Sequence, residues 1–133
     1  MKKILFLLSL VCLTNCISLR PSEKEALREL KSYGIPANEQ AFKHPAMAGA
    51  LNILPGIGNF YLASGTGEGE QWMVGFLNLL AWPVSPIWAI PQAAIDANTV
   101  NSKSTLDYYK FDRQGKKELA KMRKENGYFS ELQ

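Results

Sequence analysis

The stretch that decides the fold is residues 46–64, "AMAGALNILPGIGNFYLAS", which contains no charged residue. The loop "GTGEGEQ" at 65–71 joins it to residues 72–95, "WMVGFLNLLAWPVSPIWAIPQAAI", which is again uncharged. Each stretch has about the residue count of a membrane helix, which needs roughly 20 apolar residues. Prolines interrupt both stretches, and each proline removes a helix hydrogen bond. They are Pro55 in the first and Pro83, Pro86 and Pro91 in the second. The sequence therefore predicts a Pro/Gly-broken hydrophobic helical hairpin.

The depth of this hairpin follows from its longest unbroken piece. Residues 72–82 would rise only about 16 Å as a helix, roughly half of a bilayer core. We therefore expect a shallow or re-entrant hairpin, with the loop at 65–71 on the periplasmic side or just inside the headgroups. Asn52, Asn59 and Asn78 are suited to hydrogen-bonding between the two segments, where lipid offers no partner. The alternative is a small soluble core in which these asparagines are turn residues.

Residues 44–102 carry a motif that resembles a known family. The run Pro55-Gly56-Ile57-Gly58-Asn59-Phe60-Tyr61 precedes a glycine-bearing loop, and the second segment ends with Asp96 and Ala97. This pattern resembles the bacterial TM-two domain, a pair of transmembrane helices joined by a short loop. The resemblance implies an architecture and no particular activity. Its motif residues here are Pro55, Gly56, Gly58, Phe60, Tyr61 and Asp96.

The N-terminus has the features of a secretory signal peptide, predicted to be a signal helix at residues 1–15. Lys2 and Lys3 form a basic start, and the apolar run at 4–13 is too short to span a bilayer. Leu13-Thr14-Asn15-Cys16 resembles the lipobox of bacterial lipoproteins. The resemblance implies cleavage before Cys16, a diacylglyceryl group on its thiol, and a further palmitate-type chain on its amine. A disulfide between Cys12 and Cys16 is the alternative reading.

The lipobox also implies a location. A triacylated Cys16 would hold the mature chain at the outer membrane, facing the periplasm, because Ile17 stands where an Asp commonly retains lipoproteins at the inner membrane. The inner membrane is the alternative. Two or more acyl chains give stable anchoring, whereas one alone is marginal.

The two flanking segments are more polar. Residues 16–43 are predicted to be a lipidated tether and an amphipathic helix at 23–33, with Ser22 as N-cap and Gly34 as C-cap. This helix packs on the rest of the domain or lies along the membrane. Residues 103–133 form a basic tail with a helix predicted at 116–125 and ended by Gly127. That helix is either a solvated face or a basic face resting on anionic lipid headgroups.

Composition excludes several function classes. A chain of 133 residues has room for one small domain, and its net charge of +3 falls further without the signal peptide, so we expect no nucleic-acid partner. His44 is the only histidine, and no second ligand stands near it in a metal-binding spacing. No nucleophile is paired with a base. We therefore expect no catalytic residues, no metal, no cofactor and no enzymatic activity.

Together these patterns predict an all-α protein with a lipid anchor. The expected function is a structural or interaction role in the bacterial envelope, with the hydrophobic hairpin associated with the membrane. Its partners would be membrane lipid, bound through acylated Cys16 and the hairpin, and an envelope protein. The alternative is a periplasmic binder or carrier of a lipid-like ligand, in which the apolar segments form a soluble core.

Overall fold

The structure is a computed structural model that describes residues 17–130, with side chains up to Glu125. The predicted signal peptide and Cys16 lie outside the described residues. Within these residues every regular element is helical and no strand occurs, which confirms the all-α prediction. The helices are α1 (Pro21–Ser32), α2 (Pro45–Leu51), α3 (Ile57–Ala63), α4 (Glu70–Leu80), α5 (Pro86–Phe111) and α6 (Arg113–Ser130).

The described chain divides into two compact units. Unit 1 contains Lys43–Val100 together with Ile17 and Ser18, and unit 2 contains Leu19–Phe42 and the residues from Asn101 onward. Helix α5 contributes its first part to unit 1 and the remainder to unit 2. The two segments that flank the hairpin in the sequence thus belong to one unit, and the boundary expected between 102 and 103 lies inside α5.

Unit 1 is built from short helices around small side chains. Its apolar core is the cluster Ala48, Leu62, Ala93 and Ala97, all fully buried, with Tyr61 packed against it. Helix α3 packs on both α2 and α4. Alanines at the contacts allow helix backbones to approach closely, as small residues do in membrane bundles.

The hairpin is more segmented than a helix pair. The first apolar stretch forms α2 and α3, which are separated by the turn that contains Pro55. The second forms α4 and the start of α5, separated by a turn at Pro83. The prediction that Pro86 and Pro91 also break the helix is wrong. Pro86 is the first residue of α5, where its missing N–H has no intrahelical partner anyway, and α5 continues through Pro91 with one bond fewer.

Unit 2 is held by a more conventional core. Leu30, Ile35, Leu106 and Tyr109 are buried, and Leu27 and Leu119 are among the side chains packed against them. Helix α1 therefore uses its apolar face inside unit 2, which agrees with the packing alternative. Further hydrogen bonds tie the chain before Lys43 to α5. They run from Gln40 N to Thr105 Oγ1 (3.1 Å), from Phe42 N to Asn101 Oδ1 (3.2 Å) and from Tyr109 OH to Glu39 Oε2 (2.8 Å).

Helix α1 begins earlier than predicted. Its first residue is Pro21 and its N-cap is Arg20, whose backbone N–H donates to Glu23 Oε2 at 2.6 Å. Proline favours the first helical position, so the start moves two residues upstream of the expected one. The end agrees with the expected glycine cap. Gly34 has φ +84°, and the N–H groups of Gly34 and Ile35 donate to Lys31 O and Leu30 O as in a Schellman motif.

Helix α6 differs from its prediction at both ends. It begins at Arg113 after Asp112, whose Oδ1 accepts hydrogen bonds from Gln114 N (2.7 Å) and Gly115 N (3.3 Å). It also continues through Gly127, which was expected to end it. A glycine inside a helix costs about 1 kcal/mol, which the good helix formers around it offset.

Candidate functional site

Unit 1 has a polar interior. The side chains of Asn52, Asn59, Gln71 and Asn78, called here the amide network, are at most 2% exposed. Asn59 Oδ1 accepts from both Asn52 Nδ2 and Asn78 Nδ2, each at 3.0 Å. Asn59 Nδ2 donates to Gln71 Oε1 at 2.7 Å. The prediction that the asparagines bond between the two apolar segments is therefore confirmed for Asn59 and Asn78, and also for Asn52, whose Nδ2 donates to Ala89 O in the second segment.

The network reaches the breaks in the helices as well. Asn52 Oδ1 accepts from Gly58 N (2.8 Å) across the first break, and Asn52 Nδ2 also donates to Ala89 O (2.8 Å). At the second break, Ser85 Oγ donates to Asn78 O at 2.7 Å. Among the described residues no buried side-chain nitrogen or oxygen lacks a partner. The network thus satisfies polar groups that the broken helices place in the interior.

Asp96 ends the chain of amide donors. Its side chain is fully buried on α5, where Oδ2 accepts from Gln71 Nε2 at 3.3 Å. Oδ1 accepts from the backbone N–H of Ile17 at 3.0 Å, across 79 residues of sequence. A carboxylate accepts only, so Asp96 fixes the direction in which Gln71, and through it Asn59, must point.

Burial raises the pKa of the Asp96 carboxyl from its ordinary 3.8 to about 6. Hydrogen bonds from Ile17 and Gln71 lower this pKa, and the carboxylate of Glu68 raises it. Because the unfolded carboxyl releases its proton near pH 3.8, the folded state binds more protons between about pH 4 and 6. Stability is therefore lost as the pH rises through this window.

We expect the free energy of unfolding in detergent to fall by up to about 3 kcal/mol between pH 4 and pH 7 through this group, since one pKa unit corresponds to about 1.4 kcal/mol. Urea titrations at several pH values measure it. Asp96→Asn should remove this component and leave the remaining pH dependence unchanged. Identical pH profiles for the two proteins would contradict the assignment.

The outside of unit 1 is apolar. All the large hydrophobic side chains that the described residues expose lie in unit 1, apart from Phe42 and Phe111. This set, called here the apolar surface, consists of Met47, Ile53, Leu54, Ile57, Trp72, Met73, Phe76, Leu79, Leu80, Trp82, Val84, Ile87 and Ile95. Between Lys43 and Val100 the charged residues are Lys43, Glu68, Glu70 and Asp96. Of these, Lys43 and Asp96 are buried, so the only outward charges belong to the loop and the start of α4.

Helix α4 shows that unit 1 is inverted relative to a water-soluble domain, with polar side chains inside and apolar side chains outside. Its buried positions are Gln71, Val74, Gly75 and Asn78, at helical spacings of three and four. Its exposed positions include Met73 and Leu80, at 69% and 78%. A helix of a water-soluble domain normally buries its apolar face and exposes its polar one. In α4 the polar face points inward and the apolar face outward.

Two glycines of the motif stand where backbones nearly touch. A Cβ on Gly56 would lie 2.2 Å from Gly75 O, and a Cβ on Gly58 would lie 2.1 Å from Ala48 O. Gly56 also has φ +84°, in the left-handed region that favours glycine. Pro55 beside it is buried. These positions bring α3 against α2 and α4 at backbone distance.

The aromatic motif residues have separate roles. Phe60 stacks on Trp72 and meets Phe76 edge-on, with ring centroids 5.3 Å apart in both pairs. Tyr61 OH accepts from His44 N at 3.0 Å. Lys43 Nζ lies 4.5 Å from the Tyr61 ring centroid and donates to Tyr61 O (2.6 Å) and Ser64 O. Burial lowers the pKa of this ammonium, which caps the carbonyl end of α3.

The structure therefore gathers all six expected motif residues into unit 1 and adds Gln71 to them. Pro55, Gly56, Gly58, Phe60 and Tyr61 lie around α3, and Asp96 joins them through the amide network. Gln71 was not expected in the site. Its spacing of seven residues from Asn78 is the signal that places both on one face of α4.

The described residues contain no group of three or more His, Cys, Asp or Glu side chains placed to hold a metal ion. In the part of the chain that the structure describes, no helix combines the length and the apolar character needed to cross a membrane.

Comparison with protein-family models, with curated proteins and with solved structures finds no match for this chain.

Proposed function

We propose that this chain is a lipid-anchored bacterial envelope protein with a structural or interaction role, and that unit 1 lies in one leaflet of the membrane. The observation that carries the proposal is the inversion of unit 1, whose amide network is buried beneath the apolar surface. The lipobox resemblance at Cys16 supplies the anchor, and the TM-two resemblance at 44–102 fits a membrane-associated hairpin. The outer membrane is the expected location.

The energetics favour a lipid environment for the apolar surface. Ile53, Leu54, Leu80 and Ile87 are each between 64% and 78% exposed. Transfer of one such side chain from water into an apolar medium gains about 1.5–3 kcal/mol when it is fully buried. Exposed apolar surfaces of this extent typically mark contact with a membrane or a protein partner.

The interior suits the same environment. Hydrocarbon offers no hydrogen-bond partners, so irregular backbone at membrane depth must be satisfied from within the protein. Asn52 partners Gly58 N at one break and Ser85 partners Asn78 O at the other, which meets this requirement for these two backbone groups. The 11 residues of α4 would rise about 16 Å, which fits shallow insertion.

The alternative function requires a different arrangement of the same residues. A soluble carrier for a lipid-like ligand would turn the apolar side chains inward to line a pocket or core. Leu54, Leu80 and Ile87 instead point outward, while the interior holds amides. This difference favours the membrane-associated reading.

Liposome flotation tests the proposal without help from the anchor. A chain that begins at Ile17, released from detergent onto phosphatidylcholine vesicles, should float with them. Leu80→Lys with Ile87→Lys should lower the partition coefficient between vesicles and water at least about 100-fold, because two apolar side chains that lipid would bury are lost. The floating fraction measures this coefficient. Zwitterionic vesicles prevent the new lysines from binding by charge.

The matched control has the same chemistry on the other unit. Phe42→Lys with Phe111→Lys replaces two exposed aromatic side chains of unit 2, at 50% and 66% exposure. This protein should float like the parent. A parent chain that stays at the bottom of the gradient, or two double variants that behave alike, would argue for a soluble protein.

A further inference from the structure

The first described residue is held by the core of unit 1. Ile17 N donates to Asp96 Oδ1 at 3.0 Å, and Ile17 itself is half-buried. Ser18, the next residue, is exposed, and the chain enters unit 2 at Leu19. If the residues that follow the predicted signal peptide were only a free tether, this hydrogen bond would not be needed. The bond therefore gives Ile17 a defined place on unit 1.

The acceptor is specialised for this contact. Among the described residues of unit 1, Asp96 is the only buried carboxylate, and its other hydrogen bonds come from Gln71 and Gln92, both of which are buried. Burying a carboxylate is costly unless it is well paired. If position 96 served only to accept a hydrogen bond from Gln71, an amide side chain would suffice in place of the carboxylate. The second oxygen of Asp96 instead accepts a donor that comes from 79 residues away.

We infer that Asp96 is the docking site for the acylated N-terminus of this chain, so that Cys16 carries its lipid at the surface of unit 1. This inference rests on the proposed anchor at Cys16. Cys16 directly precedes Ile17 in the sequence. The acyl chains consequently start one residue from the Ile17–Asp96 bond.

Docking would join the two membrane-binding parts of the protein. The side chains next in sequence to Gln71 and Asp96 include Trp72 and Ile95, which are 48% and 60% exposed. When one part is already in the membrane, a short fixed connection makes insertion of the other effectively intramolecular. The lipid anchor and the apolar surface would then enter the same leaflet together. Asp96 acts here as a positioning residue.

Spin labels on the intact lipoprotein in vesicles test the docking. Ser18→Cys and Asn98→Cys place labels at exposed positions beside Ile17 and half a turn beyond Asp96. The docked N-terminus should give dipolar broadening of the continuous-wave EPR spectrum. Ile17→Pro removes the N–H donor and should abolish the broadening, whereas Ile17→Val keeps the donor and should retain it. Asp96→Leu removes the acceptor and should also abolish it.

The outcomes separate the inference from the proposed function. The protein without added cysteines should carry radioactive palmitate and no thiol that reacts with the label, because Cys12 is removed and Cys16 is a thioether. Free thiol at Cys16 would overturn the anchor itself. With the anchor intact, absence of broadening in the doubly labelled protein, or broadening that survives Ile17→Pro, would overturn docking. If Asp96→Leu fails to fold, Ile17→Pro still tests docking, because it removes only the donor and leaves Asp96 in place.

Discussion

Gly56→Leu combined with Gly58→Leu is expected to leave little folded protein. A Cβ at Gly56 would stand 2.2 Å from Gly75 O, and a Cβ at Gly58 would stand 2.1 Å from Ala48 O and 2.7 Å from Asn52 Cγ. The atoms in the way belong mostly to backbone, so α3 must separate from α2 and α4. Overpacking costs about 1–3 kcal/mol at each site, and the positive φ of Gly56 adds strain, giving about 5 kcal/mol in all.

A loss of this size approaches the whole stability of a small domain, about 5–15 kcal/mol. Abundance in the membrane fraction and resistance to protease are therefore the appropriate measurements. Gly67→Leu with Gly69→Leu is the matched control, because a Cβ at either position has no neighbouring atom within 4 Å. The control should accumulate normally. Equal abundance of the two double variants would show that α3 does not depend on close backbone contact.

Asn59→Leu is expected to lower the free energy of unfolding by about 4 kcal/mol. Leucine matches asparagine in shape but neither donates nor accepts. The substitution takes away the acceptor of Asn78 Nδ2 and the donor to Gln71 Oε1, both fully buried. Each buried polar group left without a partner costs about 1–3 kcal/mol, and the low dielectric of a lipid-covered interior raises this cost.

Denaturant titration in detergent micelles measures the effect. Asn98→Leu is the control, because Asn98 is exposed on α5 and its amide donates to Ala94 O in the same helix. This control should change the unfolding free energy by no more than about 0.5 kcal/mol. A loss below about 1 kcal/mol for Asn59→Leu would mean that the asparagines act as turn residues, as in the soluble alternative.

The helical class and the turns can be predicted from the sequence because they depend on the conformational preferences of nearby residues. Pro55 with Gly56 marks one break and Pro83 the other, and Gly34 ends α1 in the left-handed conformation that glycine adopts freely. The sequence-based prediction of helix ends is wrong where local signals compete. Pro91 and Gly127 lie inside helices, because one lost hydrogen bond or about 1 kcal/mol of propensity is outweighed by the rest of the helix.

By itself, the sequence determined which side chains share a face, since that follows from helical spacing: Gln71 with Asn78, and Met73 with Leu80. It did not determine which face is inside, because an apolar face is stable against a protein core or against lipid, and spacing is the same in both cases. Only the tertiary structure placed the amides inward and Leu80 outward. It alone also joined Ile17 to Asp96, because a backbone N–H carries no sequence signal for a partner 79 residues away.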